Sequence, residues 1–245
     1  MRVLLSSCIL LGLVVFSPAH GDNPRLDHVV LAVHDLQTSN QIFKKYGFTV
    51  KDGKVHNNGL INSFVEFSDG TEIELMSVLG TSNDPLAQIY SKFLASSEGG
   101  IFVALSGFDI NNASKQLRSE SIDHHVQPGR LWNYLTFPTG SGLEHIFLIE
   151  NHKKDTSTQT ATSHRNGVSG INEVWLGSSE KVENLLRALK ISSHSNDRIY
   201  PLSNATLRLE NQTQIGSRPR FHGIVLSLSS NHRFSKVQTH GIWIK

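Results

Sequence analysis

Apolar and polar residues alternate along several short stretches of this chain, and each stretch leads into a polar turn and an amphipathic segment. Three such segments begin at His28, Phe102 and Glu173. Alternation predicts a half-buried β-strand, and apolar residues three or four positions apart predict a helix that packs on it. Asp35 and Asp109 are expected to be the N-caps of the first two helices or residues of the preceding turns. The apolar positions at helical spacing are Ile42, Phe43 and Tyr46, then Ala113 and Leu117, then Val182, Leu185, Leu186 and Leu189.

A β-hairpin is predicted after each of the first two helices. Residues 62–78 alternate around an Asp-Gly turn, and residues 133–151 alternate around a glycine-rich turn. An Asp-Gly pair between two alternating stretches is a strong hairpin signal. Both hairpins end in a strand with a glutamate, Glu74 and Glu150, and a shorter third copy ends at Glu210. The repeated unit is therefore β-α-β-β-β, and we expect an α+β fold in which tandem units pair into a larger curved sheet.

The N-terminal segment has the pattern of a secretory signal. Arg2 precedes an apolar run from Val3 to Phe16, and Ala19 and Gly21 provide a small-residue cleavage site. The run is shorter than the roughly 20 residues that a membrane-spanning helix needs. We therefore expect residues 1–21 to be a signal peptide and the protein to be secreted or periplasmic, without a stable membrane anchor.

The remaining chain divides at a polar stretch. Residues 153–167 are rich in serine and threonine and are typical of a linker. Residues 22–152 are expected to hold the paired first two modules, and residues 168–245 a third, shorter module with additional C-terminal strands.

Composition narrows the function classes. The formal net charge of +2, from 23 basic and 21 acidic residues, argues against a dedicated nucleic-acid-binding protein, which needs a basic surface. The one cysteine, Cys8, lies within the predicted signal peptide. The mature chain is therefore expected to lack disulfides, a thiolate nucleophile and cysteine metal ligands. Three N-glycosylation sequons occur, at Asn112, Asn204 and Asn211.

Several motifs occur in a characteristic order: "LDHVVLAVHDL", "YGF", "HNNGLIN", "EIELMSV", "GGIFVAL", "FLIEN" and "HRNG". In this order the chain resembles the glyoxalase-like branch of the vicinal-oxygen-chelate superfamily, which includes glyoxalase I, extradiol dioxygenases and fosfomycin and bleomycin resistance proteins. The resemblance implies tandem β-α-β-β-β modules that form a curved, U-shaped mixed sheet around a small-molecule site. It also implies a divalent metal, often held by the first-strand histidine and the last-strand glutamate of each module.

Three ligand positions carry over from this resemblance. His28, Glu74 and Glu150 match them, whereas the position equivalent to His28 in the second module is Phe102. One imidazole and two carboxylates suit Zn²⁺, Fe²⁺, Mn²⁺ or Ni²⁺ and leave coordination positions open for substrate. The alternative for His28 is a strand histidine held by local hydrogen bonds, and for the two glutamates a partly solvated strand face.

Further residues of the same motifs are candidates for catalysis and binding. His56 precedes Gly59 and could act as an acid or base, bind substrate or supply the missing ligand; the alternative is an ordinary loop histidine. Glu150 is a second candidate for proton transfer. Asn62, Phe102 and His164 are expected to line the substrate pocket.

Two functions remain open from the sequence, besides a structural role in the cell envelope. The first is a divalent-metal-dependent lyase, isomerase or dioxygenase that acts on a small oxygen-chelating substrate. The second is a metal-free protein that sequesters a small molecule in the same cup. In both cases the partner is a small molecule, no nucleic acid is expected, and a homodimer is compatible with the repeat pattern.

Overall fold

The computed structural model describes residues 23–152, 162–193, 197–210, 221–228, 237–239 and 242–244. The predicted signal peptide, residues 153–161 of the predicted linker and the sequon at Asn211 lie outside these ranges. Among the described residues, no helix has both the length and the apolar character that crossing a membrane requires.

The first half of the chain consists of two β-α-β-β-β units. In the first unit, β1 is followed by α1 and by the strands β2, β3 and β4. In the second unit, β5 is followed by α3 and by β6, β7 and β8, and the helix α2 connects the two units. The bounds are β1 Arg25–Ala32, α1 Leu36–Lys45, β2 Lys51–Val55, β3 Leu60–Glu66, β4 Glu72–Val78, α2 Pro85–Leu94, β5 Gly99–Ser106, α3 Ile110–Ser119, β6 His125–Gln127, β7 Trp132–Thr136 and β8 Ile146–Asn151.

These strands form a single mixed sheet in the order β2-β3-β4-β1-β5-β8-β7-β6. The opening strands β1 and β5 pair antiparallel at its centre, and each also pairs with the parallel last strand of its own unit. The two units are therefore related by an approximate twofold axis between β1 and β5. The predicted pairing of two modules into one mixed sheet is confirmed.

The second half forms a second sheet with a similar but shorter strand order, β10-β11-β9-β12-β14-β13 among the described residues. The strand β12 pairs antiparallel with β9, as β5 does with β1. The additional C-terminal strands predicted within residues 168–245 are present as β12, β13 and β14. The bounds are β9 Val168–Gly177, α4 Glu180–Ala188, β10 Ile199–Pro201, β11 Thr206–Glu210, β12 Phe221–Leu228, β13 Val237–Thr239 and β14 Ile242–Ile244.

One large hydrophobic core joins the two sheets. It contains the fully buried side chains of Val29 and Leu31 in β1, Phe43 in α1, Leu117 in α3 and Leu185 in α4. We call the side of the first sheet that contributes Val29 and Leu31 to this core the helix face. Asp35 and Asp109 cap α1 and α3, as predicted, by accepting hydrogen bonds from backbone N–H groups of the first turn.

The opposite side of the first sheet, which we call the inner face, carries a smaller core. Val30 and Met76 pack there against Ala87, Tyr90 and Leu94 of α2. The sequence reading missed α2, although its start signal is clear: Asp84 accepts hydrogen bonds from two N–H groups of the first turn, and Pro85 occupies the first helical position. This helix covers part of the inner face and places Tyr90 there.

A polar contact links the second half of the chain to the first strand. The side chain of Asn204 accepts a hydrogen bond from the N–H of Leu26 and donates one to the C=O of the same residue, both at 2.9 Å. Leu26 is fully buried. Asn204 thus substitutes for a neighbouring strand at a point where β1 and β5 are irregularly paired.

We expect Asn204→Ala to destabilise the protein by about 1–3 kcal/mol, because it leaves a buried N–H and C=O without partners. The measurement is the free energy of unfolding in urea. Asn112→Ala is the matched control: it removes the same side chain from a second sequon, on the exposed side of α3. Equal stability of the two variants would contradict the expectation.

Candidate functional site

Four positions on the inner face are related in pairs by the twofold axis of the first sheet: 28 with 102, and 74 with 147. Val30 pairs with Phe102 and His28 with Ala104, so that Phe102 is the equivalent of His28 and Ala104 the equivalent of Val30. Val30 in turn pairs with Glu74 in β4. Because Ala104 pairs with Phe147 in β8, Phe147 is the equivalent of Glu74.

This register corrects the repeat alignment that matched Glu150 to Glu74. Ile146 and Leu148 belong to the core of the helix face, so alternation along β8 directs Glu150 to that face and Phe147 to the inner face. Consistently, Glu150 accepts a hydrogen bond from the amide of Asn133 at 2.9 Å. The structure therefore does not bring Glu150 together with His28 and Glu74. The error arose because spacing alone could not locate the end of the turn before β8.

His28 lies between carboxylates on the inner face. Its Nδ1 is 2.8 Å from Oδ1 of Asp27, and its Nε2 is 4.0 Å from Oε2 of Glu74; the side chain is only 12% exposed. Burial opposes protonation of the ring, but the hydrogen bond and charge of Asp27, together with the charges of Glu74 and Glu72, outweigh it and raise the pKa of His28. Burial likewise opposes ionisation of Asp27, yet the contact with His28 holds the pKa of Asp27 below its usual value.

Glu74 is held by a neighbouring strand. The amide of Asn62 in β3 donates to Oε1 of Glu74 at 2.7 Å, while its Oδ1 accepts from the N–H of Lys54 at 3.0 Å. Gly53 lies so close to Asn62 that a Cβ atom there would collide with Oδ1. Asn62, predicted to line a substrate pocket, therefore lies at the site and fixes the orientation of the Glu74 carboxylate.

Glu72 adds a third carboxylate to this cluster. It pairs with His28 in the sheet and lies on the same face as Glu74. Burial raises the pKa of Glu72 to about 7; the nearby His28 lowers it, while Glu74, Asp27 and Glu66 raise it further. A carboxyl group with a pKa near neutrality can exchange protons at physiological pH.

Aromatic rings form the other side of the site. The ring of Phe147 contacts those of His28 and Phe102 edge to face, with centroids 5.5 and 6.2 Å apart. Phe102 also contacts Tyr90 of α2 at 5.6 Å, and Phe147 contacts Tyr134 of β7 at 6.4 Å. Burial, with the charge of Glu74, raises the pKa of Tyr90 well above its usual value. Phe102 thus lies in the site, as predicted, within an aromatic wall.

The donor set does not fit a resident divalent metal. Catalytic zinc sites commonly take three protein ligands. Here only His28 and Glu74 offer donor atoms at the four related positions, because Phe102 and Phe147 have none. Across the described parts of the chain, no group of three or more His, Cys, Asp or Glu residues is arranged to hold a metal ion.

His56 and His164 lie elsewhere. His56 belongs to the turn between β2 and β3, and six residues of β3, roughly 20 Å, separate that turn from the row of the sheet that contains His28. His164 is buried against the rings of Phe48 and Phe67, and its Nδ1 accepts a hydrogen bond from the N–H of Thr49. The structure thus places His164 beside the core of the helix face, outside the His28 cluster.

A cavity of about 440 Å³ lies between α1 and the β2–β3 hairpin. Its lining includes Asn40, Lys44, Asp52, Lys54 and Asn62. Apart from Asn62, none of the predicted site residues contributes to it. We therefore assign the candidate site from the side-chain geometry of the inner face and not from this groove.

Several site residues were missed from the sequence. Glu72 had a signal, since "EIEL" places two glutamates on one face of a strand. Asp27 precedes His28 and also had one. Phe147 and Tyr90 had no signal without the register of β8 and the position of α2.

A further buried histidine, His145, occupies a position related to that of Glu72. It directly precedes β8, and its C=O accepts a hydrogen bond from the N–H of Val103 at 2.9 Å, so that continuing the β5–β8 register by one residue makes it the twofold equivalent of Glu72. The side chain is 7% exposed, and its Nε2 has no hydrogen-bond partner. Burial lowers the pKa of His145 to about 4, although Glu144 acts in the opposite direction. His145 is therefore neutral at physiological pH.

The fold defines a class of protein: paired β-α-β-β-β units with a site on the inner face of their sheet, as in glyoxalases and related dioxygenases. Residues 26–190 match the model of the glyoxalase-like domain family. The chain belongs to this family. A comparison with curated protein sequences finds no significant match.

Solved structures share the fold at low sequence identity. A hypothetical protein from Staphylococcus aureus is 16% identical with a TM-score of 0.69, and the match covers 90% of this chain and 98% of that one. A xylose isomerase-like TIM barrel/4-hydroxyphenylpyruvate dioxygenase fusion protein is 14% identical with a TM-score of 0.59, over 91% of this chain and 39% of that one. Streptomyces coelicolor methylmalonyl-CoA epimerase is 20% identical with a TM-score of 0.42, over 54% and 99%.

His145 makes stability depend on pH. Because its pKa is lowered in the folded state, its neutral form favours folding above about pH 6.5, and this contribution is lost as pH falls towards 4. The shift corresponds to about 3 kcal/mol. We expect His145→Gln to lose less stability than the wild type between pH 6.5 and 4.5, measured by urea unfolding at each pH. Parallel curves would contradict this.

Glu72 has the opposite effect. Its raised pKa means that the unfolded chain loses the proton first, so stability falls as pH rises from 4.5 to about 7. We expect Glu72→Gln to stabilise the protein at pH 8 relative to the wild type and to have less effect at pH 4.5. Thermal unfolding at both pH values measures this, and Glu120→Gln, at an exposed position after α3, is the control.

Proposed function

We propose that this is a secreted protein that binds a small, partly apolar, oxygen-bearing molecule on the inner face of its first sheet. The cluster of Asp27, His28 and Glu74, opposite the rings of Phe102 and Phe147, carries the proposal: Asp27 is hydrogen-bonded to His28, and Glu74 lies 4.0 Å from the other ring nitrogen. It combines a few oriented polar groups with an apolar wall, which is the usual composition of a small-molecule site.

His28 is the principal polar contact. The hydrogen bond with the Asp27 carboxylate requires a proton on Nδ1, and the Glu74 carboxylate favours a second proton on Nε2. A ligand carbonyl or hydroxyl oxygen can accept from this Nε2–H. The remaining part of the ligand lies against the aromatic rings.

Glu74 and Asn62 define the second polar contact. Since Asn62 donates to Oε1 of Glu74, the other carboxylate oxygen is directed towards His28 and is the one that can accept a hydroxyl proton from the ligand. A ligand with an oxygen acceptor beside a hydroxyl donor satisfies both residues. Neither contact requires a metal ion.

Proton transfer is a second candidate function, of the isomerase or lyase type. The Asp27–His28 hydrogen bond favours it, because a carboxylate that orients an imidazole and stabilises its charge is a common arrangement for general acid–base catalysis. For this function, Nε2 of neutral His28 takes a proton from a carbon next to the carbonyl group of the bound molecule, and the imidazolium that forms, stabilised by Asp27, returns the proton to that carbon or to a neighbouring atom.

Ligand-observed NMR with a panel of small hydroxy ketones and hydroxy acids tests the binding function. We expect one or more compounds to bind the wild type and to lose at least about tenfold in affinity with His28→Asn and with Glu74→Gln, since each removes a charge-assisted hydrogen bond. His125→Asn, on the exposed edge strand β6, is the control. Binding that is insensitive to both site variants would overturn the proposal.

The same samples in D₂O test catalysis. Loss of the C–H signal next to the carbonyl group with the wild type, and not with His28→Asn, is the expected result for proton transfer. A bound compound whose C–H signals persist supports binding without catalysis.

A further inference from the structure

We infer that Phe102 and Phe147 occupy the second half of a divided metal site, so that the protein works without a resident metal and needs only these two positions changed to acquire one. This inference rests on the proposed function in locating the site at His28. It concerns the metal, and its test does not depend on the small molecule.

Positions 102 and 147 are the twofold equivalents of His28 and Glu74. The pairing of β1 with β5 makes His28 and Phe102 equivalent, and the pairing of each with its last strand makes Glu74 and Phe147 equivalent. A twofold axis that repeats the His28–Glu74 pair would thus place an imidazole at position 102 and a carboxylate at position 147.

A chain of contacts links the side chains at these four positions. The four side chains meet across the axis: His28 contacts Glu74 at 4.0 Å, and the ring of Phe147 contacts both His28 and Phe102. Position 147 therefore lies against His28, and position 102 lies against position 147. Donor atoms there would complete a set of four around one point.

His28 and Glu74, the polar half of the site, each have a hydrogen-bond partner that orients them. Nδ1 of His28 is hydrogen-bonded to Asp27, and Oε1 of Glu74 to Asn62, which leaves Nε2 and Oε2 facing each other. Metal ligands commonly have such partners, which orient them and fix the histidine tautomer. The remaining half is thus preorganised for coordination but has two donors.

The sizes of the side chains also allow His and Glu at positions 102 and 147. Histidine and glutamate are no larger than phenylalanine, and both ring positions are partly solvent-accessible. The two substitutions therefore remove apolar contacts without overfilling the inner face.

The experiment measures Zn²⁺ and Ni²⁺ binding by calorimetry and by metal analysis after dialysis, using the purified protein. Loss of a single outer partner already costs about 10–100-fold in metal affinity. We therefore expect F102H/F147E to bind one ion per chain more than about 100-fold more tightly than the wild type, and His28→Ala in that background to lose at least about tenfold in metal affinity, because it removes one of the four donors.

The control V126E/W132H adds the same two residue types at exposed positions of β6 and β7 and is expected to leave metal affinity unchanged. Circular dichroism establishes folding of each variant. Should F102H/F147E fail to fold, Phe147→Glu alone supplies a third donor and is expected to give a smaller gain that also depends on His28.

Two results would overturn the inference. One is a stoichiometric metal in the wild type that is lost with His28→Ala. The other is a folded variant, double or single, that gains no His28-dependent affinity. Neither result depends on whether the NMR panel yields a ligand, so the proposed function and this inference can fail separately.

Discussion

The antiparallel pairing of β1 with β5 is the interaction on which the rest of the structure depends. It joins the two units, sets the twofold axis, and fixes which residues of the two units become equivalent. A strand slipped by one residue would turn every side chain to the other face. His28, Phe102 and their partners meet on the inner face only because this register holds, and Asn204 satisfies the backbone of Leu26 where the pairing is irregular.

The two units place different side chains at equivalent positions, and this difference determines the chemistry of the inner face. The first unit contributes an imidazole and carboxylates, and the second contributes phenylalanine rings at the equivalent positions. The twofold equivalents Glu72 and His145 are also shifted towards their neutral forms by burial. The inner face is therefore divided into an acidic half and an aromatic half, which suits a ligand with one polar end.

The fold could be predicted from the sequence because its elements carry local signals. Alternation, the Asp-Gly turn and the caps at Asp35 and Asp109 determine the repeat without knowledge of distant contacts. The site could be predicted only in its first unit, where "LDHVVLAVHDL" and "EIELMSV" match known motifs. The error at Glu150 has a physical cause: Glu150 lies three residues beyond Phe147, the equivalent of Glu74, and an odd offset along a strand exchanges its two faces. Tyr90 and Phe147 could not be found, since their roles depend on tertiary packing.

The single core that joins the two sheets has a thermodynamic consequence. Val29, Leu117 and Leu185 belong to one apolar cluster although they come from different sheets and helices. Neither half can expose its share of this cluster without cost to the other, so that opening of one half and opening of the whole chain have similar free energies. The protein should therefore unfold as one cooperative unit, and the heat capacity change should reflect the surface of both sheets together.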